Sequence, residues 1–571
     1  MYRFEKTAFL YFFRKSLRLF SDDILTPADF DAIAKEISAH PLTAEKVGLI
    51  AAHRAEIAER IDTRSEGHET TNVAQPGDWI ATNLGTNARP VVDSKGQLNT
   101  YVIPAGKFGS LYEATDIASD LGPVFKAKGR VTAYELPGSF DIVAPWKERQ
   151  KGQRGYLVRN GDEVYCIEKT VFHSTYDFLG PGALRLLARG EKRILSLDGG
   201  GVKGMLTLGF LSRLEEVLKE QHGDPGLVLA DYFDMIGGTS VGAILATQLA
   251  LGAKVSEVKD LFTEWCPSIF RRPPLWLYPI SRIPFVGPRF DARYLEQKLD
   301  AKLGDMRLGS PKLRTGLCIV TKRVDTGSPW VLTNNPRSKY WHARGDAVVA
   351  NKEYRLADVV RASAAAPIYF KPHAIRISTD KAAPPGLFVD GAVSPYNNPS
   401  LQLLMVAGIG GYGLDWELGE DKLLLVSVGT GSYRARSVGG GLLVRQAAEA
   451  LIGVVGDCEA LGLTLLQWMS ASRNPWKINS EIGDLSENFL GQAQGLAKPL
   501  LRFERYDAPL ELAWLKEQLG IVLDPAKLDS LRDFTDPRNI DELFEIGRRA
   551  AEKQIKPEHF PAAFKVATAA A

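Results

Sequence analysis

The four cysteines among 571 residues, Cys166, Cys266, Cys318 and Cys458, form no CxxC pair. Such spacing excludes a disulfide-stapled scaffold and a thiolate zinc site, and leaves reduced thiols in the cytoplasm as the simplest expectation. No His/Cys/Glu cluster has metal-ligand spacing, so no metal and no other cofactor is expected. Net charge is also lacking. Lys plus Arg number 70 and Asp plus Glu 68, a balance of +2 that gives no electrostatic case for a nucleic-acid partner. There is no run of about 18 uncharged apolar residues, the length a membrane helix needs. The nearest, residues 442–469, contains Arg445, Glu449, Asp457 and Glu459 and reads as buried core helices. The first 20 residues mix aromatics with Arg3, Lys6, Arg14, Lys15 and Arg18 and show no apolar signal core, so no signal peptide is expected. They read as a helix packed on its own protein or lying on a membrane surface.

What is present is an ordinary globular balance, 45% hydrophobic and 24% charged, in a chain long enough for two or three domains. Residues 1–70 are expected to form a helical segment. Within it Thr26-Pro27-Ala28-Asp29 is a helix start, and Phe30, Ile33 and Ile37 follow at helical spacing. Residues 71–180 gain Gly, Pro, Thr and Val and read as a β-rich module with an internal repeat. Tyr101-Val102-Ile103 recurs as Tyr165-Cys166-Ile167, and Phe108 and Tyr112 recur as Phe172 and Tyr176. The strand-like runs Trp79–Thr82 and Phe140–Val143 precede the two copies. A linker at Leu179–Gly182 and Arg189–Arg193 leads into residues 190–565.

Arg193–Gly242 organises that last part. Ile194–Leu197 is a buried strand, followed by Asp198-Gly199-Gly200-Gly201-Val202-Lys203-Gly204 and a helical pattern from Met205. A second strand, Tyr232–Ile236, runs into Gly237-Gly238-Thr239-Ser240-Val241-Gly242 and a second helix. Gly238-Thr239-Ser240-Val241-Gly242 is a G-x-S-x-G elbow, which sets a serine hydroxyl on a tight strand-to-helix turn. The first turn offers backbone N–H groups free of side chains at a helix N-terminus, which suits an oxyanion. The lone Asp390-Gly391-Ala392 far downstream has the look of an ordinary turn.

Asp198–Gly204, Gly238–Gly242 and Asp390–Ala392, in this order and spacing, resemble the three blocks of the patatin-like phospholipases. Ala362–Pro367 and Leu425–Gly431 are similar to further family blocks; Lys203 stands where many members carry Arg. The resemblance implies a three-layer α/β/α catalytic domain with a mostly parallel sheet. It implies a lipid acyl hydrolase of phospholipase A type, with Ser240 as nucleophile and Asp390 as its base. Gly199, Gly200, Gly201, Val202, Lys203 and Gly204 would be the oxyanion turn, and fatty acid and lysolipid the products. The implied partner is a membrane lipid, met by transient contact with a membrane surface. A triad stays open, since His222, His342 and His373 lie in the same region, though in no motif.

Two competing classes remain. Gly199, Gly201 and Gly204 satisfy G-x-G-x-x-G, a dinucleotide fingerprint, but the following strand ends in the serine elbow and not in a ribose-binding acid. A lipid-binding scaffold with a vestigial site would not need all three blocks. Ser363, in a small-residue helix ended by Pro367, reads as packing. Cys266–Phe290 gathers aromatics, prolines and four arginines without an acid, and reads as a lipid-facing edge or as a packed lid. Leu510–Leu519 and Ile540–Ile555 read as covering helices.

Overall fold

The structure, a computed structural model, describes residues 19–566 except 38–40, 66–67, 86–87, 93–97, 118, 148, 272–288, 344–347, 434–442, 472–478, 481–482 and 485–497. The chain divides into two units, Met1–Gly180 with Ala343–Val348, and Pro181–His342 with Val349–Ala571.

In the first unit the expected helix start is present. Pro27–Glu36 is helical, and Thr26 and Asp29 exchange side-chain and backbone hydrogen bonds as a capping box. The rest of the expected helical segment is corrected. Leu42–Lys46, Leu49–Arg54 and Glu59–Ser65 are strands. The reason is visible at Leu49–Ala52, four residues buried in the middle of a sheet; so short an apolar run does not declare helix or strand by periodicity. The basic-aromatic start, residues 1–18, lies outside the described residues.

Two five-stranded sheets follow. One runs Thr100–Ile103, Trp79–Leu84, Leu49–Arg54, Val124–Ala127, Tyr112–Ala114; the other runs Glu163–Glu168, Gly155–Asn160, Arg130–Glu135, Leu42–Lys46, Tyr176–Leu179. Side chains 64 residues apart make matching contacts. The Tyr101 and Tyr112 hydroxyls meet at 3.1 Å, and those of Tyr165 and Tyr176 at 3.3 Å. Trp79 stacks on Phe108, and Tyr156 on Phe172. The counterpart of the Trp79 strand is therefore Gly155–Asn160 and not Phe140–Val143, which pairs with Leu19–Ile24 and Arg149–Gly152. The sheets also interlock. Leu42–Lys46 completes the second sheet but leads into the first, and Val124–Ala127 does the reverse.

Among the described residues, the main sheet of the second unit has nine strands: β1 (Lys192–Leu197), β2 (Met235–Thr239), β3 (Gly316–Arg323), β4 (Pro329–Thr333), β5 (His373–Ile375), β6 (Gly386–Asp390), β7 (Leu423–Val428), β8 (Ser470–Ala471) and β9 (Leu501–Tyr506). Their order is β5-β6-β3-β2-β1-β7-β9-β8, with β4 on β3. From β3 to β8 neighbours are parallel, while β4, β5 and β6 add antiparallel pairs. All residues of β1, β7 and β9 are buried, as in strands covered on both faces. Alternate residues enter two separate cores. Leu195, Leu197, Leu424 and Val426 face one; Ile194, Leu423 and Leu425 face the other. Helices α1 (Gly204–His222), α2 (Val241–Ala250), α3 (Leu356–Ser363) and α6 (Ile540–Gln554) pack into the first core, and α4 (Ser400–Gly408) and α5 (Leu443–Trp468) into the second. This is a three-layer α/β/α arrangement.

Leu443–Trp468, within the stretch read as buried core helices, is one helix and not several buried ones. Leu463 and Leu466 are buried, whereas Val454, Leu461 and Trp468 are exposed. Among the described residues no helix is long and apolar enough to cross a membrane.

α1 and α6 cross backbone to backbone. A Cβ on Gly209 would lie 2.5 Å from Phe544 O and Arg548 N, and one on Gly547 would strike Leu206 O. In an open helix Gly→Ala gains roughly 1 kcal/mol, whereas overpacking costs about 1–3 kcal/mol. Because the obstacle is backbone, Gly547→Ala should lower the melting temperature. A rise in calorimetry would show that the helices part freely.

Candidate active site

Sheet register brings two distant residues together. Thr239, the last residue of β2, pairs with Val320 in β3, and Thr321 pairs with Asp390, the last residue of β6. Although β6 runs antiparallel to β3, it pairs only with the last residues of β3, Thr321–Arg323, so its C-terminus arrives level with the start of α2. Ser240 Oγ donates to Asp390 Oδ2 at 2.6 Å, across 150 residues of sequence. Asp390 Oδ1 accepts the Ala392 N–H at 2.9 Å. The carboxyl is buried, and burial pushes its pKa up to about 6, against the Ser240 and Ala392 hydrogen bonds and the Arg361 charge, which lower it.

Ser240 sits at φ 57°, ψ −122°, a sparsely populated region for a residue with a side chain. The two glycines around it allow close approach. A Cβ on Gly238 would strike Gly242 O, and one on Gly242 would strike Leu197 O. Thr239 and Val241 are buried, Thr239 Oγ1 donating to Tyr396 O at 2.7 Å.

The glycine turn lies beside the elbow: a Cβ on Gly199 would come within 3.2 Å of Ser240 Cβ. Four of its six N–H groups are engaged. Gly199 donates to Asn397 O, Val202 to Phe534 O, Lys203 to Gly200 O, and Gly204 to Gly201 O and Val202 O. Those of Gly200 and Gly201 have no acceptor among the described residues. Val202, expected to offer its N–H, is thus removed from the candidates by the chain segment that packs over it.

The sequence profile of the patatin-like phospholipase family matches residues 195–404. Residues 195–404 are thus similar to a patatin-like phospholipase domain. Curated relatives include a cGAMP-activated phospholipase of Vibrio cholerae, 32% identical over 217 residues, 37% of this chain and 56% of the relative. Patatin group J-1 of Solanum tuberosum is 31% identical over 245 residues, and patatin-like protein 2 of Arabidopsis thaliana 32% over 263, each across 42% of this chain and 60% of the relative. The chain therefore spans less than two thirds of the length of these relatives.

Around the patatin motifs lies a cavity of about 1110 Å³, lined by the glycine turn, Ser240 and Asp390 and by apolar side chains such as Ile244, Phe262 and Phe370. Among the described residues no histidine lines it. His222 Nδ1 contacts Leu218 O and its Nε2 accepts the Val566 N–H; His373 faces Asp358; His342 lies against Lys352. The described ends of Cys266–Phe290 turn inward. Ile269 and Phe270 line the cavity, and Phe290 is buried in T-shaped contact with Phe270. Arg272 and Trp276, central to the lipid-facing reading of this stretch, lie outside the described residues.

Sequence reasoning missed a buried ion cluster under the patatin turn. Arg505, 1% exposed, meets Asp198 Oδ2 at 2.8 Å, Glu459 at 3.1 Å and Asp507 at 3.2 Å. Burial raises the Asp198 pKa, and Arg505 opposes it. Lys203, also buried, donates to Gly431 O and lies over the Tyr433 ring; burial lowers its pKa. Arg505 lies within β9, one residue before its end, beyond the matched 195–404 and in no recognisable motif.

The Asp390 shift predicts a stability effect. Its folded pKa of about 6 lies above the unfolded 3.8. The charged carboxylate therefore weakens the fold progressively between those values, and fully above them, by about 3 kcal/mol at 1.36 kcal/mol per unit. Asp390→Asn, which keeps an acceptor oxygen, should be more stable than wild type in urea unfolding at pH 8 and not at pH 4. An equal difference at both pH values would contradict this origin.

Proposed function

We propose that the protein is a lipid acyl hydrolase of phospholipase A type, working through Ser240 and Asp390 as a dyad. The observation that carries this reading is the 2.6 Å Ser240–Asp390 hydrogen bond, set beside two free N–H groups in an apolar cavity. The relatives named phospholipase and patatin support the same class.

Asp390 takes the Ser240 hydroxyl proton as Oγ attacks the ester carbonyl carbon. The Gly200 and Gly201 N–H groups receive the negative charge that develops on the carbonyl oxygen. Collapse of the tetrahedral adduct breaks the ester C–O bond. Asp390 returns its proton to the departing alkoxide, which leaves as lysolipid. Water, deprotonated by Asp390, then cleaves the acyl-serine, releasing fatty acid and restoring Ser240. A carboxyl near pKa 6 is charged at neutral pH yet more basic than an exposed aspartate, as both halves of the cycle need. All of these residues belong to the second unit, and the first is assigned a regulatory role. Contact with a membrane surface brings the lipid to the cavity.

A fluorescent organophosphonate should label wild type at Ser240, and Ser240→Ala should not react. Since the pair acts as one unit, Ser240→Ala, Asp390→Ala and the double variant should fall to similar activity. Multiplicative losses would sink the dyad. Wild-type kcat/KM should rise with pH through about 6, as Asp390 loses its proton.

Gly200→Ala tests the oxyanion assignment. Gly200 is extended at φ 167°, so the backbone tolerates alanine, but its Cβ would press on Thr430. Displacing one donor should cut kcat about 10²-fold with KM little changed. Normal kcat would place the oxyanion elsewhere.

A further inference from the structure

One short segment touches both members of the pair from behind. α3 ends at Ser363, which is fully buried. Ser363 Oγ accepts the Ser240 N–H at 2.9 Å and donates to Val320 O at 2.6 Å. Two residues on, Ala365 O accepts the Asp390 N–H at 3.0 Å.

The direction of these bonds is fixed. A serine hydroxyl has one proton, and that of Ser363 is spent on Val320 O. Toward Ser240 it can only accept, which is what an N–H at the start of a helix requires. Val320 is the residue that pairs with Thr239, so the hydroxyl bridges β3 to the elbow at the level where β6 delivers Asp390. Ala364 and Ala366 line the cavity while Ser363 does not, so its hydroxyl meets no substrate.

We infer that Ser363 is a positioning residue: its hydroxyl holds the Ser240 backbone in the strained conformation that aims Oγ at Asp390. This rests on the proposed reading of Ser240 as nucleophile. Without the acceptor, the Ser240 N–H is left buried and unpaired, and the turn relaxes toward a conformation that carries Oγ away from the carboxylate.

The test measures the rate of Ser240 labelling by an organophosphonate, with kcat and KM on a soluble ester, in the full chain. Ser363→Ala should slow labelling and lower kcat about tenfold, the scale of one hydrogen bond, with KM unchanged. Ser363→Thr keeps the hydroxyl and should recover most of the rate; Ser363→Cys, close in shape but a weak hydrogen-bonding group, should resemble the alanine variant. Should Ser363→Ala fail to fold, the cysteine–threonine contrast carries the same information. Labelling at the wild-type rate in the alanine or cysteine variant overturns the inference. So does equal slowing in the threonine and cysteine variants, which would mean that only volume matters. A wild type unlabelled at Ser240 overturns the nucleophile reading and this one with it; a labelled wild type with an unaffected Ser363→Ala overturns this one alone.

Discussion

The second unit depends on keeping one residue out of the ordinary backbone regions. Ser240 at φ 57°, ψ −122° is costly, on the order of 1–3 kcal/mol, and reverts unless its surroundings over-determine it. They do so from both sides. β2 before it is buried at every position, and so is α2 after it. Gly238 and Gly242 let the turn close against Leu197 O in the neighbouring strand, and the Ser363 hydroxyl takes the N–H that the turn exposes. The sheet then delivers the carboxylate: Thr239 opposite Val320, Thr321 opposite Asp390. A one-residue slip in either pairing would turn Asp390 to the other face.

The same rigidity extends beneath the glycine turn at an electrostatic cost. Arg505, Asp198 and Asp507 are buried and Glu459 is half-buried, and such clusters seldom stabilise a fold relative to apolar packing. Their placement suggests geometry as the purpose. Asp198 precedes Gly199, Asp507 Oδ1 accepts the Gly431 N–H, and Thr430 Oγ1 donates to Gly199 O. Glu459 on α5 also accepts from Asn397, whose carbonyl takes the Gly199 N–H. The turn is thereby tied to β7, β9 and α5 at once, while Gly200 and Gly201 keep their N–H groups unspent.

Much of this was legible in the sequence because the chemistry needs unusual local backbone. Glycine turns between apolar strands and helices announce themselves, and the Ser240 and Gly199–Gly204 blocks stood out by residue type, whereas Asp390, in what looks like an ordinary turn, was marked only by the family resemblance. What did not show was anything set by register or by long-range packing. Ser363 looks like one more small residue in a helix. Arg505 looks like a charge interrupting a strand. The engagement of the Val202 N–H by Phe534 O joins residues more than 300 apart. In the first unit, Leu49–Ala52 is too short to declare its period. The matching of Tyr156 with Trp79 was hidden because aromatic identity, and not spacing, links the two strands.

On the proposed reading, a carboxylate does work here that is more often given to imidazole. Burial alone would drive Asp390 toward the neutral acid, useless as a base at neutral pH; full solvation by donors would leave it as weak as a surface aspartate. The structure stands between these limits. Among the described residues, one oxygen takes a single N–H, from Ala392, and the other takes only the Ser240 hydroxyl. The charge of Arg361 reaches the carboxyl, but its Nε and Nη2 donate elsewhere, to Glu296 and Lys371 O, with Phe370 under its guanidinium, and its buried Nη1 has no partner among the described residues. A direct Arg361–Asp390 ion pair would lower the pKa and cancel the gain from burial. Holding the arginine near, without an ion pair to the carboxylate, leaves a carboxyl near 6 that is charged in neutral solution and, on the proposed reading, able to accept the serine proton.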